Sequence, residues 1–362
     1  MPLNLQKIRL ALASTGNELG VLPEFRQIQP KFDVHLFDSL PSTSTQLWKM
    51  LAAGAGSGTV AIARRQTSGR GQRGRSWQSE PGGLYLSLAL EPDWPIAHSA
   101  QLTCLSAWGI ATALINLGLP IQIKWPNDLF FQGKKLGGIL TETKVAQRPA
   151  HISPHHPGAK PSPCIKQAVI GVGINWHNSV PATGITLHKI LEQMPSCAAQ
   201  NKINCLEILA ALVLRGILQG VFYYQQVGSQ VFMKVYSKLL TQVGELVSLE
   251  SDLPTDAIVG NYANMLLAPS LTSSVLAPSL LRVSTGDVRR SDVKPDAKPD
   301  VKPDAKPAEV TPAEVKFECD RQGPCGKVMG VSEEGYLQIE LAPATGQRQK
   351  IVLLKPSELH TS

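Results

Sequence analysis

Residues 59–90 constrain the fold more than any other stretch of the chain. TVAIA (59–63) and LYLSLAL (84–90) are apolar, rich in strand-forming residues, and read as strands. Between them runs GRGQRGRSW (69–77), followed by Glu80-Pro81-Gly82-Gly83. Gly69, Gly71 and Gly74 spell G-x-G-x-x-G. In a dinucleotide-binding turn that pattern opens directly into a helix, whose N-terminus holds the pyrophosphate. Here the chain returns to a strand with no room for a helix, so a Rossmann unit is excluded. No G-x-x-x-x-G-K-[ST] occurs either. An anion would have to be met by side chains. Arg70, Arg73 and Arg75 alternate with small residues, and arginine forks suit phosphate or carboxylate oxygens. An ordinary solvated basic loop and a nucleic-acid arm are the readings these residues leave open beside an anion-binding loop. The net charge of +7 fits an anionic ligand or a nucleic acid without choosing between them.

Elsewhere IQIKW (121–125) and QAVIGVGIN (167–175) read as strands. Residues 99–118 carry helical spacing through Leu102, Leu105, Ile110, Leu114 and Leu117, and stop at Gly118 and Pro120. Residues 205–227 are helical too, with Asn204 and Glu207 spaced as an approximate capping box. Several strands follow one another without a helix between, which favours an α+β sheet over a βαβ repeat. With 43% hydrophobic residues in 362, most of the chain is expected to bury a core. Residues 293–307, VKPDAKPDVKPDAKP, cannot form a helix or a central strand, because proline recurs every fourth position. LAPSL occurs twice, at 267–271 and 276–280, and 251–325 reads as a low-order insertion. Residues 146–166 read as a Pro-rich surface loop with His155 and His156 exposed. No apolar run reaches the ~18–20 residues that span a bilayer, and no secretory leader is evident. The six cysteines, at 104, 164, 197, 205, 319 and 325, form no C-x-x-C pair. A reducing, cytoplasmic location is expected, without a zinc site or a membrane.

Four further motifs stand in order: PSTSTQLW (41–48), KWPND (124–128), KKLGGIL (134–140) and GVGINW (171–176). KWPND alone is a strand end and a turn. Together with the glycine loop, and at these spacings, the set resembles the biotin protein ligases over about residues 34–242. VGELVSLE (243–250), GKVMGVSEEGYLQIEL (326–341) and KIVLLKPSEL (350–359) resemble the small domain that closes those enzymes.

The resemblance implies a class II synthetase-like catalytic domain, a mixed sheet with helices, at 34–242. It implies an SH3-like β-barrel built from 243–250 and 326–362, interrupted by the insertion 251–325 and preceded by a short extension, 1–33. It implies two steps. Biotin's carboxylate attacks the α-phosphate of ATP, giving biotinyl-5′-adenylate and pyrophosphate. A lysine of the biotin carboxyl carrier protein of acetyl-CoA carboxylase then attacks the mixed anhydride. Since the substrates bring their own nucleophiles, the protein has only to position them and stabilise charge. Mg²⁺ accompanies the nucleotide.

By the same resemblance, Ser42, Thr43, Ser44 and Gln66 meet the ureido ring, while Arg70, Gly71 and Gln72 fold over the biotin tail and adenylate. Relatives often carry asparagine at the position of Ser44 and arginine at that of Gln72. Lys135 neutralises the carboxylate and the α-phosphate, and Gly138 lets the backbone approach biotin. Asp128, with Asn127, orients the nucleotide–metal side or the incoming lysine. Arg73 and Arg75 join the adenylate site. Trp77 stacks on adenine or else packs inside the fold, and Asn175 lies near the adenine or ribose. The catalytic expectation rests on Arg70, Lys135 and Asp128. Some family members bind DNA through an N-terminal winged helix of roughly sixty residues. Gly16, Gly20, Pro23 and Pro30 leave little room for one here, so DNA is not an expected partner. A lipoate or octanoate ligase and a non-catalytic adapter are the rival readings.

Overall fold

The computed structural model describes residues 3–148, 162–248, 258–260, 325–341 and 350–355. Its main sheet has eight strands. They are β1 (Asp33–Leu40), β2 (Thr59–Gln66), β3 (Leu84–Leu90), β4 (Trp94–Pro95), β5 (Gln122–Lys124), β6 (Asp128–Phe131), β7 (Lys134–Arg148) and β8 (Ser162–Ile174). The order across the sheet is β1-β2-β3-β8-β7-β6-β5, with β4 paired to β8. β1 and β2 run parallel, joined through helix α2 (Thr43–Ala52); the other pairs are antiparallel. The sheet is therefore mixed, as an α+β reading requires. β3 is buried at every position, which explains why LYLSLAL is an almost unbroken apolar run.

The helices are α1 (Leu5–Ala13), α2, α3 (Ser99–Asn116), α4 (Leu187–Gln193), α5 (Ala198–Lys202) and α6 (Leu206–Ser237). α3 and α6 are buried nearly all round and cross at glycines: a Cβ on Gly109 would lie 2.0 Å from Gly216 O, and one on Gly220 2.1 Å from Leu105 O. α6 breaks its helical path at Gly228, whose φ is +77°. By length and composition α6 passes for a membrane span, but 78% of its most apolar window is buried inside the protein, as in a core helix. The capping box expected at its start is not formed. Cys205 occupies the N-cap, and Glu207 instead accepts the backbone N–H of Asn4 at 3.1 Å, tying α1 to α6.

Residues 146–166 also depart from expectation. Residues 146–148 extend β7 and 162–166 begin β8, the two strands pairing from Gly137↔Ile174 out to Arg148↔Ser162. His155 and His156 lie outside the described residues.

A second, antiparallel sheet holds β9 (Leu246–Ser248), β10 (Ile258–Gly260), β11 (Cys325–Val331), β12 (Leu337–Leu341) and β13 (Lys350–Leu354). Its order is β10-β13-β12-β11-β9. The expected SH3-like barrel is not found. Among the described residues the sheet is an open path whose end strands, β10 and β9, do not pair with each other, and a barrel requires that closing pairing. β10 falls within the stretch 251–325; the Lys-Pro-Asp repeat and the two LAPSL segments lie outside the described residues. The β11–β12 turn docks on the main body. Trp125 Nε1 donates to Gly335 O at 3.2 Å, Val331 N donates to Ser237 Oγ at 3.2 Å, and Gln101 Nε2 donates to Glu333 O.

Candidate active site

The N-terminus of α2, the glycine loop and the neighbouring faces of β7 and β8 enclose a cavity of about 150 Å³. One end is built from hydroxyls and an amide. Gln66, at the end of β2, accepts from the backbone N–H of Thr43 at 2.8 Å and from its hydroxyl at 3.2 Å, while its Nε2 donates to Ser79 Oγ at 2.8 Å. Ser87, fully buried on β3, bonds Thr43 Oγ1 at 2.8 Å and Ser44 Oγ at 3.0 Å. Ser42, Thr43 and Ser44 are all buried at the mouth of α2. Each hydroxyl both donates and accepts, so this end suits a compact polar group with donors and acceptors of its own.

The glycine loop folds back on itself. Gly71 N donates to Arg75 O at 2.7 Å, Trp77 N donates to Gly69 O at 2.9 Å, and Arg70 bridges Ser76. Gln72–Gly74 make one tight turn, in which Arg73 adopts φ +57° and ψ +37°, a left-handed conformation uncommon outside glycine. Arg70 and Arg75 line the cavity, and Arg73 lines an adjoining one of about 350 Å³ with Lys124 and Lys135. Burial first, and the charge of Arg75 second, lower the Arg73 pKa from its ordinary value. Cations crowded this way favour an anion between them.

Lys135 faces the same space from β7. A bulge between β6 and β7 lets Phe130 pair with Lys135 while Leu129 pairs with Gly137, and a bulge of this kind re-aims a side chain. Lys135 Nζ lies 2.6 Å from Asp128 Oδ2 and 5.2 Å from the centroid of the Trp77 ring. The Trp125–Pro126 peptide ahead of Asp128 is cis. Its surroundings hold the KWPND stretch from behind: Trp125 N donates to Gln242 Oε1 at 2.9 Å, Tyr236 OH to Pro126 O at 2.8 Å, and Asn127 Nδ2 to Ile139 O at 2.7 Å. The glycines of GVG leave room for large neighbours. A Cβ at Gly173 would lie 2.4 Å from Trp77 Nε1.

Residues 36–154 match the family model of the biotin/lipoate A/B protein ligases. The chain is 35% identical over 140 residues to the bifunctional ligase/repressor BirA of Bacillus subtilis, which is 38% of each chain. It is 31% identical over 216 residues to the biotin–[acetyl-CoA-carboxylase] ligase of Mycobacterium tuberculosis, covering 58% of this chain and 71% of that protein. The chain belongs to the biotin/lipoate protein ligase family. It spans between 38% and 55% of the length of the first four such relatives, BirA of Escherichia coli among them. The solved structure of a mutant biotin protein ligase from Aquifex aeolicus in complex with biotin superposes with a TM-score of 0.51 at 19% identity, over 89% of this chain and 94% of that one, and shares its fold.

Of the residues singled out from the sequence, Ser42, Thr43, Ser44, Gln66, Arg70, Gly71, Gln72, Arg75, Trp77, Asn127, Asp128, Lys135 and Gly138 line the cavity at the start of α2. Arg73 lines the adjoining one. Asn175 lines neither; its amide donates to Lys135 O at 3.4 Å and accepts from Asn178, so its side chain secures the strand that carries Lys135. The side-chain nitrogen of Asn127 is likewise spent on backbone. Ser87 and Glu142 were not foreseen. A lone serine inside LYLSLAL is the signal that could have found the first; nothing local marks the second. Among the described residues no three His, Cys, Asp or Glu side chains cluster in a metal-holding arrangement.

Proposed function

We propose that this chain is a biotin protein ligase: it joins biotin to ATP as biotinyl-5′-adenylate and then passes biotin to a lysine of the biotin carboxyl carrier protein of acetyl-CoA carboxylase. The observation that carries the reading is one cavity with a hydroxyl-and-amide end and a cationic flank, Thr43, Ser44 and Gln66 facing Arg70 and Lys135. The polar end matches a ureido ring, which offers N–H donors and a carbonyl acceptor; a dithiolane or alkyl tail would prefer apolar walls.

In the first step a biotin carboxylate oxygen forms a bond to the α-phosphorus and the bond to pyrophosphate breaks. Arg70 and Lys135 neutralise the two anions as they approach. Arg73, Arg75 and Lys124, which line the adjoining cavity, would hold the released phosphates. In the second step the carrier lysine, having lost a proton, attacks the acyl carbon and AMP leaves. Asp128, 2.6 Å from Lys135, is placed to orient that amine or accept its proton. Trp77 offers a flat surface to adenine. Residues 34–242 would form the catalytic unit, and 243–250 with 326–362 a smaller C-terminal one. The free thiols at Cys104, Cys164, Cys197 and Cys205 suit a cytoplasmic location.

The test is ATP–pyrophosphate exchange with MgATP and biotin, lipoate or octanoate. Exchange with biotin, lost by at least a hundredfold in Lys135→Ala as for removal of a transition-state charge contact (~10²), is the expected result. Exchange with lipoate or octanoate alone would assign the chain to the other branch of the family. Exchange with none of the three would refute the adenylation step.

A further inference from the structure

Little within the glycine loop fixes the side chain of Arg70. The loop's internal bonds run between backbone groups of Gly69, Gly71, Gln72, Arg75 and Trp77. The side chain is held from outside, by one carboxylate. Glu142, on β7, accepts from Arg70 Nη2 at 2.6 Å through Oε2, and the same oxygen accepts from Trp48 Nε1 at 3.3 Å. Trp48 belongs to α2, the helix whose first turn presents Thr43 and Ser44 to the cavity. Lys144, two residues further along β7 and so on the same face, covers the Trp48 ring with its ammonium 4.6 Å from the centroid. Glu142 itself does not line the cavity. It stands behind Arg70.

We propose that Glu142 is a positioning residue that clamps two separate parts of the site, the glycine loop and α2, to the strand β7. A guanidinium is a planar fork with five donors. Fixing one terminal nitrogen on a carboxylate sets the plane of the whole group and leaves the other donors for an anion in the cavity. The arrangement is the same logic by which a second partner orients a catalytic imidazole: the carboxylate touches no substrate and acts through the group it holds. Sharing one oxygen between Arg70 and Trp48 ties the cationic flank of the cavity to its hydroxyl end, so both ends keep their spacing. Arg70 is 42% exposed and Glu142 27%, and ion pairs of this exposure contribute little to global stability. Loss of the pair therefore shows in the loop and not in the melting temperature.

The catalytic consequence of the clamp rests on the proposed ligase reading; the clamp itself can be read without any substrate. Trypsin cuts after arginine, and Arg70, Arg73 and Arg75 sit in the loop, so its cleavage rate in the ligand-free full chain reports loop ordering. Glu142→Gln is expected to raise cleavage at these arginines by at least ~3-fold, the size of one lost surface-type ion pair, with an unchanged melting temperature. It is expected to raise the KM for biotin by a similar factor while kcat changes less than twofold. Glu142→Asp is expected to restore part of both effects, and Glu142→Gln is expected to add less than twofold to the KM of Arg70→Ala. Wild-type cleavage and KM in Glu142→Gln would overturn the clamp, as would effects that multiply in full with those of Arg70→Ala. If the wild-type protein exchanges pyrophosphate with no acid yet Glu142→Gln loosens the loop, the ligase reading falls and the clamp stands. If the wild-type protein exchanges with biotin and Glu142→Gln leaves the loop unchanged, only the clamp falls.

Discussion

A methyl group at position 173 would lie 2.4 Å from Trp77 Nε1 and 2.6 Å from Cε2. That is well inside contact distance, so Gly173→Ala forces the indole to move. The strand itself has no quarrel with alanine, and overpacking of this kind costs about 1–3 kcal/mol. If Trp77 stacks on adenine, moving it costs a further interaction of stacking size, and the KM for ATP is expected to rise about tenfold with the KM for biotin little changed. Steady-state exchange kinetics against each substrate check this. Ser87→Ala should do the reverse. It removes the hydroxyl bonded to both Thr43 and Ser44, a loss of about 1 kcal/mol or roughly fivefold in the KM for biotin, with ATP unaffected. At this scale the sequence carried the cavity-lining residues because they lie in short contiguous motifs. It did not carry Ser87 or Glu142, whose partners are 43 or more residues away. A motif does not record what a side chain bonds: the Asn175 amide donates to the backbone of Lys135 on the neighbouring strand.

Between elements, α3 and α6 cross with their backbones close together. Three glycines make it possible: Gly109, Gly216 and Gly220 let backbone meet backbone where any Cβ would clash with a carbonyl or helix atom. Gly220→Ala would gain helix propensity of about 1 kcal/mol but would place a methyl 2.1 Å from Leu105 O. The clash wins, since a backbone oxygen in a helix cannot yield alone. A net loss of about 1–3 kcal/mol is expected, read as a melting temperature lower by several degrees, and an unchanged or higher melting temperature would show that the helices separate freely. Apolar spacing marked α3, residues 205–227 were read as helical and fall within or beside α6, and β3 coincides with LYLSLAL, because burial on both faces leaves a continuous apolar run. Other elements answer to distant contacts. Glu207 satisfies Asn4 across 203 positions instead of capping its own helix. The outer ends of β7 and β8 lie in a Pro-rich stretch, and pairing with each other, and of β8 with β4, makes them strands. Closure of the second sheet likewise depends on which end strands meet, a property of twist and register that no single strand's composition records.

Across the whole molecule, the β11–β12 turn of the second sheet meets α3 and α6 at a small polar joint. His98 Nδ1 lies 2.6 Å from Tyr224 OH; Tyr224 OH donates to Gln101 Oε1; Gln101 Nε2 donates to Glu333 O in the β11–β12 turn. The same turn accepts from Trp125, so the joint stands directly behind the KWPND stretch. Burial lowers the His98 pKa below its ordinary value, against a smaller raising effect from the Gln101 side chain nearby. Burial, with the charge of Glu333 adding to it, keeps the Tyr224 phenol protonated. The fold therefore favours neutral His98, whereas the unfolded chain takes up a proton near pH ~6.5. The contribution of His98 is present in full above that value. It is lost as the pH falls through it toward the lower pKa of the folded state, because the unfolded chain then binds more protons. The melting temperature is expected to fall between pH 7 and pH 5, and His98→Gln should flatten that slope while leaving the neutral-pH value close to wild type. The difference between the two melting curves isolates His98 from every other titrating group. Equal slopes in the two proteins would mean that His98 does not couple protonation to folding. If instead the joint loosens before the chain unfolds, pyrophosphate exchange in the wild type should decline at a pH where the melting curve still shows a folded protein, and His98→Gln should retain activity there, since the turn that steadies Trp125 would no longer answer to that proton.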